Sequence, residues 1–240
     1  MKRLPRQAPL PLERKDRVVL RQLQERAAGK KVRRGPGRPK KPGSTSHRTR
    51  PALARGSVLH VTLKLKRGLP RLRGRKPFNA IAAAFRKYAK GVGFRLVHFS
   101  VQQDHVHLIV EADGKAMLSR GMQKLLISIS RRLNLLWGEG TRWIGRLFAE
   151  RYHAHLLKTP SEARHALVYV MHNSVKHGET SPGVCDPYSS AAAFDGYASP
   201  PRVKEPLDAM LIAKAASWLL KVGWRKRGLI RPNESPKPAT

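Results

Sequence analysis

Two histidines separated by one apolar residue, His105-Val106-His107, lie in the stretch QQDHVHLIVE at residues 102–111. In an extended strand alternate side chains share a face. His105 and His107 then project together, while Val106, Leu108 and Val110 point into a core. Paired imidazoles make half of a site for a divalent cation. Further on, Tyr169 and Asn173 stand four residues apart, one turn on a helix. Two neutral imidazoles and one amide oxygen can hold Mg²⁺ or Mn²⁺, which would polarise a phosphate for in-line attack. Tyr169 offers the hydroxyl nucleophile. Attack on a DNA phosphodiester would store the bond as a phosphotyrosine ester, so that strands rejoin without an external energy source. Lys176 and Arg151 are cations that could neutralise phosphate charge.

The elements that must position these groups are readable. Residues 57–65, SVLHVTLKL, are β-branched and apolar and predict a strand. Residues 78–90 carry Ile81, Phe85 and Tyr88 at helical spacing. Residues 93–101 and 105–111 predict two strands in an antiparallel hairpin, with Phe94 and Phe99 on opposite faces. Residues 115–137 predict a long amphipathic helix with Leu118, Met122, Leu125, Ile129, Leu133 and Leu136 as its core stripe. Residues 152–158 predict a fourth strand. The order β-α-β-β-α-β is the ferredoxin-like α+β pattern.

One further helix is predicted over 160–177. Thr159 to Glu162 form a capping box with Pro160 at the first helical position, and Gly178 suits the C-terminal cap. Ala163, Ala166, Leu167, Val170, Met171 and Ser174 make its small, apolar face. Tyr169 falls on the opposite, polar side with Glu162, His165, Asn173 and Lys176. Turn-rich sequence follows to about residue 206, then a helix over 207–221 and a basic tail.

The chain has 240 residues with 49 Lys and Arg against 15 Asp and Glu, a formal charge of +34, which points to a polyanion partner such as nucleic acid. Residues 1–55 carry 18 of those cations and few large apolar residues, which predicts a basic, mostly disordered arm. Within it, RRGPGRPKKPG at 33–43 resembles an AT-hook through Gly37, Arg38 and Pro39, with Arg38 suited to a narrow minor groove. The expected organisation is therefore an arm (1–55), a folded domain (56–180) and a loop with a short helix and basic tail (181–240). The single cysteine, Cys185, excludes an internal disulfide and a cysteine-rich zinc site. No apolar run approaches the ~20 residues of a spanning helix, so no membrane partner is expected. A cytoplasmic, nucleoid-associated location is the expectation.

The two motifs together resemble those of the HUH single-tyrosine transposases, the insertion-sequence and REP-associated tyrosine transposases. His105-Val106-His107 followed by Leu-Ile-Val resembles their His-hydrophobic-His motif. YVMHNSVKHG at 169–178 resembles their Y-I-x-x-N-P-V-K/R-x-G signature. The resemblance spans roughly residues 56–180. It implies that Tyr169 is the catalytic tyrosine and that His105, His107 and Asn173 are metal ligands. It also implies metal-dependent cleavage and rejoining of single-stranded DNA at hairpin or palindromic ends, with the tyrosine linked to the 5′-phosphate. Ser174 stands where the family has Pro, and Gln103-Asp104 where it often has Pro-Asn. The resemblance leaves monomer and homodimer both open.

Other readings compete. A histidine-triad hydrolase needs a third histidine where Ile109 stands. A domesticated, non-catalytic DNA-binding protein of the same fold would keep these residues without turnover. The second pair, His153 and His155, reads as a polar strand face, with His155 able to contact phosphate. His60 and His98 read as sheet-surface residues. His165 and His172 read as a solvated helix face.

Overall fold

The structure is a computed structural model and describes residues 52–138 and 145–236, together with Gln24 and Ala28. The AT-hook-like segment with Arg38 lies outside the described residues, as does nearly all of the expected basic arm. The fold is that of a unit spanning Thr45–Thr240.

Five strands form one antiparallel sheet: β1 (Ser57–Lys64), β2 (Lys90–Gly91), β3 (Phe94–Val101), β4 (His105–Ala112) and β5 (His153–Leu157), in the order β2-β3-β4-β1-β5. Two helices, α1 (Arg75–Tyr88) and α2 (Lys115–Trp137), complete the β-α-β-β-α-β frame. Leaving aside the two-residue edge strand β2, this is the ferredoxin-like order. Strand β4 sits between β3 and β1 and is buried almost throughout, because both sheet faces are covered.

Alternation assigns the two faces. Leu59, Val61, Leu63, Val106, Leu108 and Val110 point to α1 and α2 and form the larger core with Phe85, Leu118, Met122 and Leu125. Helix α2 approaches closely enough that a Cβ on Gly121 would lie 2.2 Å from the Phe94 ring, so only glycine fits there. The expected core stripe of α2 is buried from Leu118 to Leu133, with Leu136 partly so. Phe94 and Phe99 share this core rather than taking opposite faces. A register irregularity between Leu96 and His98 inserts one residue into β3 and restores the phase.

The opposite face carries His105, His107 and Ile109. A second core forms there from Val58, Val97, Ile109 and Leu157 against α3 (Pro160–Met171) and later segments through Phe194, Trp224 and Ile230. The capping box is present: Thr159 Oγ1 accepts from the Glu162 amide at 3.2 Å, and the Glu162 carboxylate accepts from the Thr159 amide at 3.4 Å.

The expected continuous helix over 160–177 is broken at His172, which takes φ −113° and ψ 16°. The single turn α4 (Asn173–Lys176) follows, and Gly178 closes it at φ 69°. The break coincides with an anchored side chain: His172 Nδ1 lies 2.7 Å from the Glu234 carbonyl, and its ring stacks on Tyr197. The helix expected over 207–221 is likewise replaced by a 3₁₀ turn at Ala209–Leu211 and a short α5 (Trp218–Lys221). Asp208 and Ser217 each cap a new turn, and Glu111 accepts from the amides of Ala216 and Ser217 at 2.8–3.1 Å, which holds the intervening chain extended against the sheet.

Candidate active site

The centre of the site is His107 on β4. It is 5% exposed, and register places Thr62 of β1 directly opposite. His107 Nδ1 lies 3.2 Å from Thr62 Oγ1 and 3.1 Å from His60 Nε2. Those contacts occupy one ring nitrogen. The other, Nε2, is buried with no hydrogen-bond partner. Burial, reinforced by His60, His105, His177 and Lys176, pushes the His107 pKa down to about 2. Its imidazole is therefore neutral near pH 7, the form that binds metals.

His105, two residues back, shares the face, and the two rings sit edge to face at 4.8 Å. Its Nδ1 lies 2.7 Å from Asp104 Oδ1, and this hydrogen bond holds the Asp104 carboxyl below its usual range. Both histidines thus have Nδ1 engaged by a neighbour, which fixes ring orientation and leaves Nε2 as the remaining ligand atom.

Helix α3 brings the tyrosine. The Tyr169 ring stands perpendicular to that of His107 at 5.0 Å and lies 5.7 Å from that of His60. The polar side of the helix is thus not a solvent face: Tyr169 is half-buried over the imidazoles. Burial raises its phenol pKa, so the hydroxyl is protonated at neutral pH. One turn on, Asn173 is fully buried, and neither its Oδ1 nor its Nδ2 has a hydrogen-bond partner. A buried amide normally makes such bonds. Two buried polar atoms, an imidazole Nε2 and an amide oxygen, are thus left without a partner and open to a ligand. With His105 on the same face, two imidazoles and one amide oxygen make a donor set that fits a divalent cation. Among the described residues, no group of three His, Cys, Asp or Glu side chains is placed to hold an ion.

Polar and basic side chains border the pair. Lys176 Nζ lies 5.2 Å from the Tyr169 ring centroid, a cation–π approach. The His177 ring is 5.4 Å from that of His105. His155, exposed on the edge strand β5, is in register with His60 and so shares its sheet face. Arg151 is exposed ahead of β5 and has no ion pair among the described residues. Ser174, at the family's proline position, is buried with its hydroxyl 2.7 Å from Thr180 Oγ1.

Sequence reasoning placed two histidines wrongly as plain sheet surface: His98, which packs on Phe194, and His60. Burial, then His155 and His153, lower its pKa to about 4, and it bonds the central histidine. No motif marks it; only the β1–β4 register would have placed it there. His172 is not a solvated residue either, being 5% exposed and anchored, whereas His165 is exposed as expected.

Residues 58–173 match the family model described as transposase IS200 like. This segment is an IS200-like transposase core. The matched segment runs from β1 to Asn173 and so includes both histidines and the tyrosine. A solved REP-associated tyrosine transposase, bound to a REP hairpin, is similar over 72% of this chain and 100% of its own, at 18% identity and a TM-score of 0.51. That likeness places the transposase domain in the same fold. A candidate transposase from Deinococcus radiodurans R1 aligns over 60% of this chain and 99% of its own at 17% identity, with a TM-score of 0.36, too loose to bear on the fold. No curated protein matches the sequence. Among the described residues, no helix is long and apolar enough to cross a membrane.

Proposed function

We propose that this transposase cleaves and rejoins single-stranded DNA through a phosphotyrosine intermediate, with Tyr169 as nucleophile and His105, His107 and Asn173 as ligands of a divalent cation. The observation that carries this reading is the perpendicular packing of Tyr169 on His107 within one chain, at 5.0 Å, beside the unpartnered His107 Nε2 and Asn173 amide.

In the forward step, the Tyr169 oxygen attacks the scissile phosphorus and the bond from phosphorus to the 3′ oxygen breaks. The phenol proton is released, and the leaving 3′ oxygen takes up a proton to become a 3′-hydroxyl. The 5′-phosphate remains esterified to the tyrosine. In the reverse sense, a 3′-hydroxyl attacks that ester, re-forms a phosphodiester and returns the phenol. One P–O bond forms for each one broken, so no cofactor hydrolysis is needed. A bound Mg²⁺ or Mn²⁺ supplies Lewis-acid polarisation of the phosphate oxygens.

The chain's own residues do the rest. Asp104, Thr62 and His60 hold the two imidazoles in orientation, and burial keeps His107 uncharged. Lys176 places a positive charge beside the phenol, where it favours both the developing phenolate and an arriving phosphate. His155 and Arg151 extend a polar, basic margin to the β5 edge, suited to the flanking strand. The packing of Tyr169 on His107 within one chain supports cleavage in cis. The REP-hairpin complex of the structural relative makes a hairpin with a single-stranded flank the substrate of first choice.

The test is a labelled hairpin oligonucleotide incubated with the protein and Mn²⁺. A covalent protein–DNA adduct of 5′-phosphotyrosine type supports the reading. Tight binding with no adduct in any metal would instead leave a non-catalytic DNA-binding protein of this fold.

A further inference from the structure

At the far end of the sheet face that carries His107, three cations converge without an acidic partner. Lys90 and Arg95 are directly opposite one another in the β2–β3 pair. Like charges at such positions destabilise a sheet. Arg95 is also in register with Glu111 of β4, an acid placed to compensate it. Glu111 is buried, and its carboxylate accepts from the amides of Ala216 and Ser217 at 2.8–3.1 Å instead. Those bonds hold the segment that carries Lys214, as does the Ala213 amide, which donates to the Leu96 carbonyl at 2.7 Å. The result is an open groove of about 610 Å³ lined by Lys90, Gly91, Val92, Arg95, Ala213 and Lys214. The three cations are exposed, and none has an ion pair among the described residues. Gly91 adds no side chain to the groove floor, which allows close approach to backbone.

We propose that this groove is a second nucleic-acid contact that holds the phosphodiester backbone of the DNA away from the cleaved phosphate. The inference rests on the strand-transfer reading above. Cations from three separate segments, two paired in the sheet and one on a segment held by the buried Glu111 carboxylate, suit a line of phosphates and not a small apolar ligand. Position adds a length. His105 and Glu111 are six positions apart along β4, about 20 Å at ~3.4 Å per residue. One DNA strand spaces its phosphates ~3.4 Å apart along the duplex axis, so the groove meets backbone about six nucleotides from the active site. Its ligand is therefore the hairpin stem, not the single-stranded flank.

The test uses the full chain with Lys90→Gln, Arg95→Gln and Lys214→Gln combined. A second variant, Lys124→Gln, Arg131→Gln and Arg132→Gln, removes the same charge from exposed positions on α2, which covers the other sheet face. Binding is measured across salt concentrations with hairpins of about four and about ten base pairs and with a short unstructured strand. Adduct formation on the short strand is followed in parallel. The groove variant loses about tenfold or more in affinity for the long hairpin, and its log K against log salt slope falls by two to three. Its binding to the four-base-pair hairpin and its adduct yield on the short strand stay near those of the parent. The α2 variant keeps long-hairpin affinity within about threefold. Equal losses in the two variants, or equal losses for both stem lengths, overturn the proposal. Loss of adduct by the parent protein itself would instead strike the strand-transfer reading and leave the stem-length comparison standing.

Discussion

His60 Nε2 lies 3.1 Å from His107 Nδ1, joining two histidines 47 residues apart in the chain. His60 thereby sets the ring that carries the unpartnered Nε2, in the way a metal-bound histidine is oriented by the group behind it. Removing such a group costs roughly 10- to 100-fold in metal affinity. His60→Ala is accordingly expected to weaken Mn²⁺ binding by about tenfold, read by titration calorimetry on the DNA-free protein. DNA affinity in chelator should be unchanged. Equal Mn²⁺ affinity in variant and parent would show that His60 does not position His107.

Asn173 predicts opposite signs for stability and activity. Its amide is fully buried with both polar atoms unpartnered. Replacing an unsatisfied buried polar group with an apolar one of similar shape is near neutral or stabilising. Asn173→Leu should leave the denaturant midpoint in chelator unchanged or raised, while it abolishes both the DNA adduct and the Mn²⁺-dependent rise in Tm expected of the parent. A loss of more than about 2 kcal/mol in chelator would mean that the amide is bonded within the fold.

Acid should destabilise the fold through its buried histidines. Burial lowers His98 and His60 to about 4 and His107 to about 2, below the ~6.5 of an unfolded chain. Between those values the unfolded state binds more protons, so stability rises with pH. Stability is therefore full above about pH 6.5 and declines as pH falls toward 4. His98, packed on Phe194 and 3.3 Å from Ser190 Oγ, is the member farthest from the proposed ligands in role. His98→Leu leaves Ser190 bonded to the Phe99 backbone and should flatten the fall in urea midpoint between pH 7 and pH 5. An unchanged slope would show that His98 does not contribute.

Arg73 and Asp186 form a buried two-pronged pair at 2.8 and 2.9 Å, with side chains 6% and 0% exposed. The pair ties the loop after β1 to the segment that follows the tyrosine helix. Arg73→Met would strand a buried carboxylate and should cost about 3–5 kcal/mol in chemical denaturation. A cost under about 1 kcal/mol would mean that the pair is solvated and contributes as a surface bridge does.

Much of this was legible from residue order. Alternation over 57–65 and 105–111, the leucine stripe of α2 and the capping box at Thr159–Glu162 each encode their element locally, and together they set the frame that brings Tyr169 to His107. What escaped depends on contacts distant in sequence. His60 matters only because β1 pairs with β4. The break at His172 depends on the carbonyl of Glu234, and the extended stretch before α5 depends on Glu111. The irregularity at Val97, which puts Phe94 and Phe99 in one core, has no glycine or proline to announce it.

The most direct measurement is covalent adduct formation by Tyr169→Phe on a labelled hairpin in Mn²⁺, beside binding of the same hairpin in chelator. The substitution removes one oxygen and keeps the ring that packs on His107. Loss of the adduct with hairpin affinity within about threefold of the parent is the predicted result. An adduct that persists in the phenylalanine variant would contradict the assignment of Tyr169 as the nucleophile.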